Sequence, residues 1–245
     1  MKDNFSTGSD QYAQFRPTYP QAVFAYLSTL TENKGRAWDC GTGNGQVAVE
    51  LAKTFAEVFA TDFSQSQIGQ AVLRENIEYS VQRAEQTNFP DDFFDLITVA
   101  QAIHWFDFEP FYQEVRRTAK PGALLVVLGY GLLKISKNVD AVIDHFYHHI
   151  VGSFWDKERR YIDENYQSIP FPFPELKVPA FSNTLVWSLD HLLGYLSTWS
   201  AVRHFIAAHG YDPLDELRPE LAVAWGSQSV QDVHFPILVR IGRIQ

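Results

Sequence analysis

The sequence is poor in several features that mark specialised classes of protein. It contains one cysteine, Cys40, so an intrachain disulfide is excluded and a reducing compartment is favoured. Lys and Arg total 20 against 29 Asp and Glu, and this balance argues against a nucleic-acid backbone as the main partner. No run approaches the ~18 consecutive apolar residues of a membrane span, and residues 1–10 lack the apolar core of a signal peptide. We therefore expect a soluble, cytoplasmic protein that binds neither nucleic acid nor membrane.

What the sequence does contain is a regular alternation of short apolar runs and amphipathic segments. With 46% hydrophobic residues in a chain of 245, one domain spanning residues 1–245 can bury a sizeable core. The alternation predicts βαβ units and a parallel sheet. The predicted strands are 37–40, 57–61, 77–81, 94–100 and 123–128, and the predicted helices are 46–53, 65–74 and 109–119.

The pattern changes after Tyr130. A helix is predicted over 138–151 and a strand over 183–189, and Asp190 is the predicted N-cap of one helix that runs to His209 and ends at Gly210. A last apolar run over 235–241 predicts a closing strand. These patterns divide the domain into a core (36–131), a cap or substrate region (about 132–228) and a closing segment (229–245).

A glycine-rich loop, DCGTGNG over 39–45, lies between the first predicted strand and helix. Gly41, Gly43 and Gly45 allow the backbone to turn tightly beside a ligand, and the helix start offers free N–H groups. Asp62 ends the next strand, where a carboxylate can accept both hydroxyls of a ribose. The G-x-G-x-G spacing differs from the dinucleotide fingerprint, and Asp39 suits a cofactor with a cationic amino group better than a pyrophosphate. The alternative is a structural turn without a ligand.

This loop resembles the first motif of the class I S-adenosylmethionine-dependent methyltransferases. The resemblance continues through TDFS at 61–64, RAE at 83–85 and FDLITVAQAIHWF at 94–106, the last typical of the type 11 subgroup. It implies a Rossmann-like α/β fold with a seven-stranded, mostly parallel sheet, helices on both faces, an antiparallel last strand, an N-terminal lid and a helical cap insertion. It also implies S-adenosylmethionine as cofactor. The implied cofactor-binding residues are Arg16, Asp39, Gly41, Gly43, Gly45, Asp62, Phe63, Gln67, Ala84, Glu85 and Gln101. For Glu85, an exposed loop acid is the alternative.

The segments flanking this core resemble the methyltransferase branch that includes the trans-aconitate methyltransferases. The stretch YAQFRPTYP over 12–20 is similar to a lid over the cofactor pocket, and TWSAVR over 198–203 to a C-terminal motif of that branch. The predicted substrate residues are Tyr19, Trp105, Trp199 and Arg203. Arg203 shares a predicted helix face with Trp199 and is our first choice to hold a carboxylate, with a solvated helix arginine as the alternative. Arg16 is suited either to the cofactor's carboxylate or to a substrate anion.

His104 is the candidate catalytic residue, because it follows the fourth strand, where open α/β sheets place their ligands. A structural histidine is the alternative. The group of His145, His148 and His149 suggests a metal site, but His145 and His149 alone lack a third ligand at a recognisable spacing and the neighbouring residues are aromatic, so we predict no metal site.

The sequence thus predicts methyl transfer to a small molecule, with a carboxylic acid giving a methyl ester as the favoured acceptor. One alternative is O-, N- or C-methylation of another metabolite with His104 as the base. The other is a non-catalytic module that binds S-adenosylmethionine. Oligomeric state is left open.

Overall fold

The structure is a computed structural model and describes residues 14–245. One seven-stranded sheet has the order β3-β2-β1-β4-β5-β7-β6. The strands are β1 (Arg36–Cys40), β2 (Glu57–Asp62), β3 (Ile77–Val81), β4 (Phe94–Ala100), β5 (Ala119–Tyr130), β6 (Phe181–Trp187) and β7 (Gln231–Arg243). The first five strands pair in parallel, and β7 is antiparallel to both β5 and β6. The Rossmann-like fold implied by the resemblance is confirmed.

The sheet is buried on both faces. Along β5, Leu124, Val126 and Leu128 enter one apolar cluster, while the alternate residues Leu125 and Val127 enter the other. Successive side chains of a strand point to opposite faces, so this division places packed elements on each side. A strand buried on both faces is almost entirely apolar, which is why β4 and β5 were recognisable from sequence.

Helices cover these faces and connect the strands. The α-helices whose bounds lie within the described residues are α1 (Gln21–Leu30), α2 (Gln46–Leu51), α3 (Gln65–Ile68), α4 (Phe108–Thr118), α5 (Lys137–His145), α6 (Arg160–Asp163), α7 (Leu189–Ser197), α8 (Ser200–His209) and α9 (Pro213–Trp225). The α5 helix continues as a π-helix over Phe146–Ile150, so the helix predicted over 138–151 is largely confirmed.

Two helix predictions were wrong in extent. The helix predicted over 65–74 ends after Ile68, where Gly69, a poor helix former, follows. The helix predicted from Asp190 to His209 is two helices. The helical conformation is interrupted at Thr198, whose hydroxyl donates to the carbonyl of Tyr195. The N-cap of α7 is Ser188 and not Asp190. The stop at Gly210 is confirmed by its left-handed φ of 78°.

The region between β5 and β7 supplies helices and also β6, an edge strand of the sheet. The predicted lid over 12–20 lies partly outside the described residues. Within them, the ring of Phe15 occupies the space beside Gly194, where a Cβ would lie 2.5 Å from it. Across residues 14–245, no helix combines the length and apolar character needed to cross a membrane.

Candidate active site

The glycine-rich loop joins β1 to α2 at the carboxyl end of the sheet. Gly41, Gly43 and Gly45 have φ values of 69°, 57° and 86°. These left-handed conformations are costly for any residue with a Cβ. At Gly41 a Cβ would also lie 2.6 Å from the Cβ of Ala102, so the loop packs directly against the end of β4.

Asp39 is almost fully buried at the end of β1. Its carboxylate accepts hydrogen bonds from the hydroxyls of Thr42 at 2.5 Å and Thr98 at 2.8 Å. Burial is the main cause that raises the pKa of Asp39 to about 6, and the charge of Asp62 raises it further, against the lowering effect of these bonds. A buried carboxylate of this kind favours a cationic ligand group, which offsets the cost of its charge.

Asp62 is oriented by two backbone donors. Its Oδ2 accepts the N–H of Gly43 and its Oδ1 the N–H of Ser64, each at 2.8 Å. The first bond joins the end of β2 to the glycine loop, so the two acidic motifs of the sequence form one structural unit. The remaining lone pairs of the carboxylate can accept ligand hydroxyls.

These residues border a cleft with an open volume of about 1060 Å³. Its lining includes the predicted residues Arg16, Tyr19, Asp39, Gly41, Gly43, Asp62, Phe63, Gln67, Ala84, Gln101 and Trp105. Two predicted cofactor residues, Gly45 and Glu85, are not among the described lining residues. The carboxylate of Glu85 accepts the N–H of Asp107 at 3.2 Å, just before α4 begins. The neighbouring polar side chain that does border the cleft is Gln82, which the sequence analysis missed.

Gln101 directly follows β4 and has a left-handed conformation, with φ of 52°. Its Nε2 donates to the carbonyl of Tyr130 at 3.1 Å, and its Oε1 accepts the hydroxyl of Tyr166 at 3.2 Å. Non-glycine residues with positive φ are uncommon, and they concentrate at functional sites. Gln101 borders the cleft and also a second, adjoining cavity.

The second cavity is open to solvent, encloses about 490 Å³ when the space at its mouth is included, and adjoins the cleft through three shared residues. The residues that line both are Arg16, Gln101 and Trp105. The others that line the second cavity are His104, Trp155, Asp156, Arg159, Ile162 and Ser200. The sequence-predicted His104 and Trp105 therefore lie together with the candidate anion-binding residue Arg16.

His104 is buried in the wall of the second cavity. Burial, assisted by the positive charge of Arg159, lowers the pKa of His104 to about 3. The ring is therefore neutral at physiological pH. Its Nδ1 lies 3.4 Å from the hydroxyl of Tyr166.

Arg159 is the functional candidate that the sequence did not reveal. Its Nε donates to the hydroxyl of Tyr147 at 2.7 Å and lies 3.4 Å from Oδ1 of Asp163. Its guanidinium also stacks on the indole of Trp155, 4.8 Å from the ring centroid. The π-helix, a form often found at functional sites, carries Tyr147 into this position. The charged sequence KERR around Arg159 is typical of a solvent-exposed segment. Only the tertiary contacts of Arg159 therefore mark it as a functional candidate.

Arg16 is held between the sheet and the cap. Its guanidinium donates to the hydroxyl of Tyr130 at 3.0 Å and to the carbonyl of Thr198 at 3.1 Å. It also lies over the ring of Tyr195, 5.4 Å from the centroid. These contacts place a cation where the cleft and the second cavity meet.

The structure does not bring Trp199 and Arg203 to either cavity. Trp199 is 1% exposed and packs in the core against Phe146 and Trp155. Arg203 is half-buried on α8 and is not among the described residues lining these two cavities. Trp199 is the N-cap of α8, and its carbonyl accepts the backbone N–H of Arg203 at 3.3 Å, so the two residues are one helical turn apart as predicted.

Comparisons with known proteins agree with this geometry. A family model described as a methyltransferase domain, type 11, matches residues 38–127. A candidate methyltransferase from Dictyostelium discoideum is 36% identical over 249 residues, which cover 98% of this chain and 95% of that protein. A solved structure of a candidate type II methyltransferase from Anaeromyxobacter dehalogenans is 42% identical, with a TM-score of 0.87, covering 94% of this chain and 98% of that one.

More distant structures share the fold alone. A candidate methyltransferase from an antibiotic biosynthesis pathway of Anabaena variabilis has a TM-score of 0.53 at 16% identity, covering 88% of this chain and 96% of that one. The full-length match to the Dictyostelium protein and the methyltransferase-domain match establish the family. The chain belongs to the class I S-adenosylmethionine-dependent methyltransferases, with a methyltransferase domain of type 11.

Proposed function

We propose that this methyltransferase acts on a small-molecule carboxylic acid, bound in the second cavity, and forms its methyl ester. The observation that carries the proposal is Arg159, a guanidinium that Tyr147 and Asp163 fix in the lining of the second cavity. Arginine recognises carboxylates with two parallel hydrogen bonds. The resemblance to the trans-aconitate methyltransferase branch supports the same acceptor class.

The residues of the larger cleft fit the cofactor of the family. Asp39 suits the cationic amino group of S-adenosylmethionine, and Asp62 suits its ribose hydroxyls. Gln101, Ala84 and Phe63 border the same cleft and would complete the site. When bound, S-adenosylmethionine supplies an electrophilic methyl group. The protein's part is to align the acceptor and exclude water.

The electrostatics of the second cavity favour an anionic acceptor. Arg16 and Arg159 contribute two positive charges to the lining, Asp156 is the acid among the described lining residues, and Asp163 pairs with Nε of Arg159 and leaves its two terminal nitrogens for a ligand. Because Arg203 does not line the cavity, we assign the clamp to Arg159, with Arg16 beside it. A carboxylate is already ionised at neutral pH and needs no base.

The alternative acceptors, an alcohol or amine, more often need a general base. His104 is the available candidate, and a pKa of about 3 makes it a weak base at neutral pH. The weak basicity of His104 favours a carboxylic acid over an alcohol or an amine as the acceptor. The rival of a non-catalytic binding module predicts no turnover with any acceptor.

The first experiment incubates the purified protein with methyl-labelled S-adenosylmethionine and a panel of organic acids. We expect labelled products from which mild alkali releases volatile labelled methanol, since esters hydrolyse while ethers and N-methyl groups do not. Label that resists alkali would contradict the ester. Absence of any product with a wide metabolite pool would favour the non-catalytic module.

The second experiment compares Arg159→Gln with Arg160→Gln, its exposed neighbour. Loss of a charged hydrogen-bond donor costs about 1.5–3 kcal/mol, so Arg159→Gln should lower kcat/KM for the acid roughly 10- to 100-fold, mainly through KM. The affinity for S-adenosylmethionine, measured by calorimetry, should not change. Arg160→Gln should behave as the unmodified protein, because Arg160 lines neither cavity among the described residues. Equal effects of the two substitutions would contradict the clamp.

A further inference from the structure

A chain of three hydrogen bonds crosses the wall of the second cavity. It runs from the carbonyl of Tyr130 through the amide of Gln101 and the hydroxyl of Tyr166 to the ring of His104. The three contacts measure 3.1, 3.2 and 3.4 Å in that order. The direction of each bond follows from which groups are able to donate.

The chain begins at a carbonyl, which can only accept. The Gln101 amide must therefore turn its Nε2 toward Tyr130, and this leaves Oε1, another pure acceptor, facing Tyr166. Tyr166 has a single hydroxyl proton, which it donates to Oε1 of Gln101. The bond between Tyr166 and His104 is then complete only if Nδ1 of His104 carries a proton and donates it to the phenol oxygen.

A neutral imidazole carries one proton on its two nitrogens. Burial and the nearby charge of Arg159, which lower the pKa of His104 to about 3, keep this ring neutral. With the proton on Nδ1, Nε2 has a lone pair. His104 lines the second cavity, whereas Tyr166 is not among the described residues that do, so Nε2 is the ring nitrogen left for the cavity.

Tyr166 is held firmly enough to impose this arrangement. It is fully buried, and the guanidinium of Arg240 donates to its carbonyl at 2.8 Å. Arg240 is itself paired with Glu175 at 2.6 Å. The ring of Tyr166 fills the space beside Gly129, where a Cβ would lie 2.6 Å from its Cε2.

We propose that Tyr166 is a positioning residue that fixes His104 as the Nδ1–H tautomer, so that Nε2 accepts a hydrogen bond from a hydroxyl or N–H group of the acceptor. The acceptor class that this adds to the proposed function is an organic acid bearing a hydroxyl or N–H substituent. The carboxylate of this acceptor binds Arg159, and its hydroxyl or N–H substituent donates a hydrogen bond to Nε2 of His104. His104 orients the molecule through this bond and takes no proton from it.

The tautomer can be measured without knowing the acceptor. Long-range proton–nitrogen correlation spectra of protein with ¹⁵N-labelled histidine rings distinguish protonated from unprotonated ring nitrogens, and His104→Gln assigns the signals. At pH 7 we expect a protonated Nδ1 and an unprotonated Nε2 in His104. A protonated Nε2 in the unmodified protein would overturn the proposal.

Two substitutions test the cause of the tautomer. Tyr166→Phe removes the oxygen that accepts from Nδ1, so His104 should shift toward the Nε2–H form. Gln101→Asn keeps a residue type that tolerates positive φ but shortens the side chain, which frees the Tyr166 proton to donate to Nδ1 and should produce the same shift. Tyr112→Phe is the matched control, since it removes another buried hydroxyl, one that donates to the carbonyl of Pro170. If one of the two variants folds poorly, the other still provides the test. An unchanged tautomer in every variant that folds, Tyr166→Phe or Gln101→Asn, would overturn the role of Tyr166.

The acceptor class is tested with a matched pair of acids that differ only by the hydroxyl. This part rests on the proposed function. For the hydroxy acid, Tyr166→Phe should raise KM roughly five- to tenfold, the effect of one buried hydrogen bond, with a smaller change in kcat. For the deoxy acid it should change neither. Equal effects on the two acids would overturn the role of Nε2. Should no acid be methylated while the tautomer is as stated, the proposed ester function fails and the tautomer stands.

Discussion

At the scale of single residues, Asp39 links cofactor binding to pH. Its carboxyl is almost fully buried, and burial raises its pKa to about 6. Because the folded pKa lies above that of the unfolded chain, the contribution of Asp39 to stability is fully present below about pH 4 and is lost as pH rises through 6. Binding of the cofactor has the opposite pH dependence, because its amino cation attracts the ionised form of the Asp39 carboxyl.

We therefore expect the affinity for S-adenosylmethionine to weaken as pH falls below about 6, approaching tenfold per pH unit, while the cofactor's own amino group titrates only near pH 8. Calorimetric titrations between pH 5 and 8 measure this dependence. Asp39→Asn should bind weakly and without that dependence. If Asp39→Asn keeps the same pH profile, another group is responsible for it.

At the scale of elements, the loop between β1 and α2 depends on close approach as well as on backbone freedom. Gly41→Ala places a Cβ 2.6 Å from that of Ala102 and requires a left-handed alanine. Gly122→Ala is the control, because Gly122 has a φ of 84° and nothing within 4 Å of the added Cβ. The control should lose roughly 1–2 kcal/mol of stability from backbone strain alone.

Gly41→Ala should lose the same amount plus roughly 1–3 kcal/mol for overpacking, as measured by urea unfolding. Its affinity for S-adenosylmethionine should fall as well, because the loop borders the cleft. The control should bind normally. Equal stability losses would show that the contact with Ala102 relaxes freely.

The elements also show what sequence can and cannot reveal about this site. Asp39, the glycines and Asp62 were predictable because each lies at or just after the end of a short apolar strand, within motifs that are continuous in the sequence. Arg159 and Tyr166 were not predictable. Their positions depend on a π-helix, on left-handed Asn165 and Tyr166, and on distant contacts such as that of Arg240 with the carbonyl of Tyr166. Likewise, the sequence did not reveal that the helix predicted over 190–209 is two helices.

At the scale of the whole molecule, the cofactor cleft joins parts of the chain that are far apart in sequence. Arg16 and Tyr19 precede the core, Asp39 and Asp62 belong to it, and Tyr130 lies at its far end. The guanidinium of Arg16 also reaches the carbonyl of Thr198 in the cap. A ligand held by all of these parts binds only the folded protein, so it must stabilise the fold as a whole.

This linkage predicts a cofactor-dependent melting temperature. At a ligand concentration of 100 times Kd the stabilisation is about 2.7 kcal/mol, and a domain of this size gains roughly 2–4 °C for each kcal/mol. S-adenosylmethionine and its demethylated product should each raise Tm by about 5–10 °C in scanning calorimetry. NAD should not, because its pyrophosphate would lie beside Asp39. The shift should be much reduced in Asp62→Asn, which removes the charge that suits the ribose hydroxyls. A comparable shift with NAD would contradict the assignment of the acids, since a cleft built around Asp39 and Asp62 discriminates against an anionic ligand.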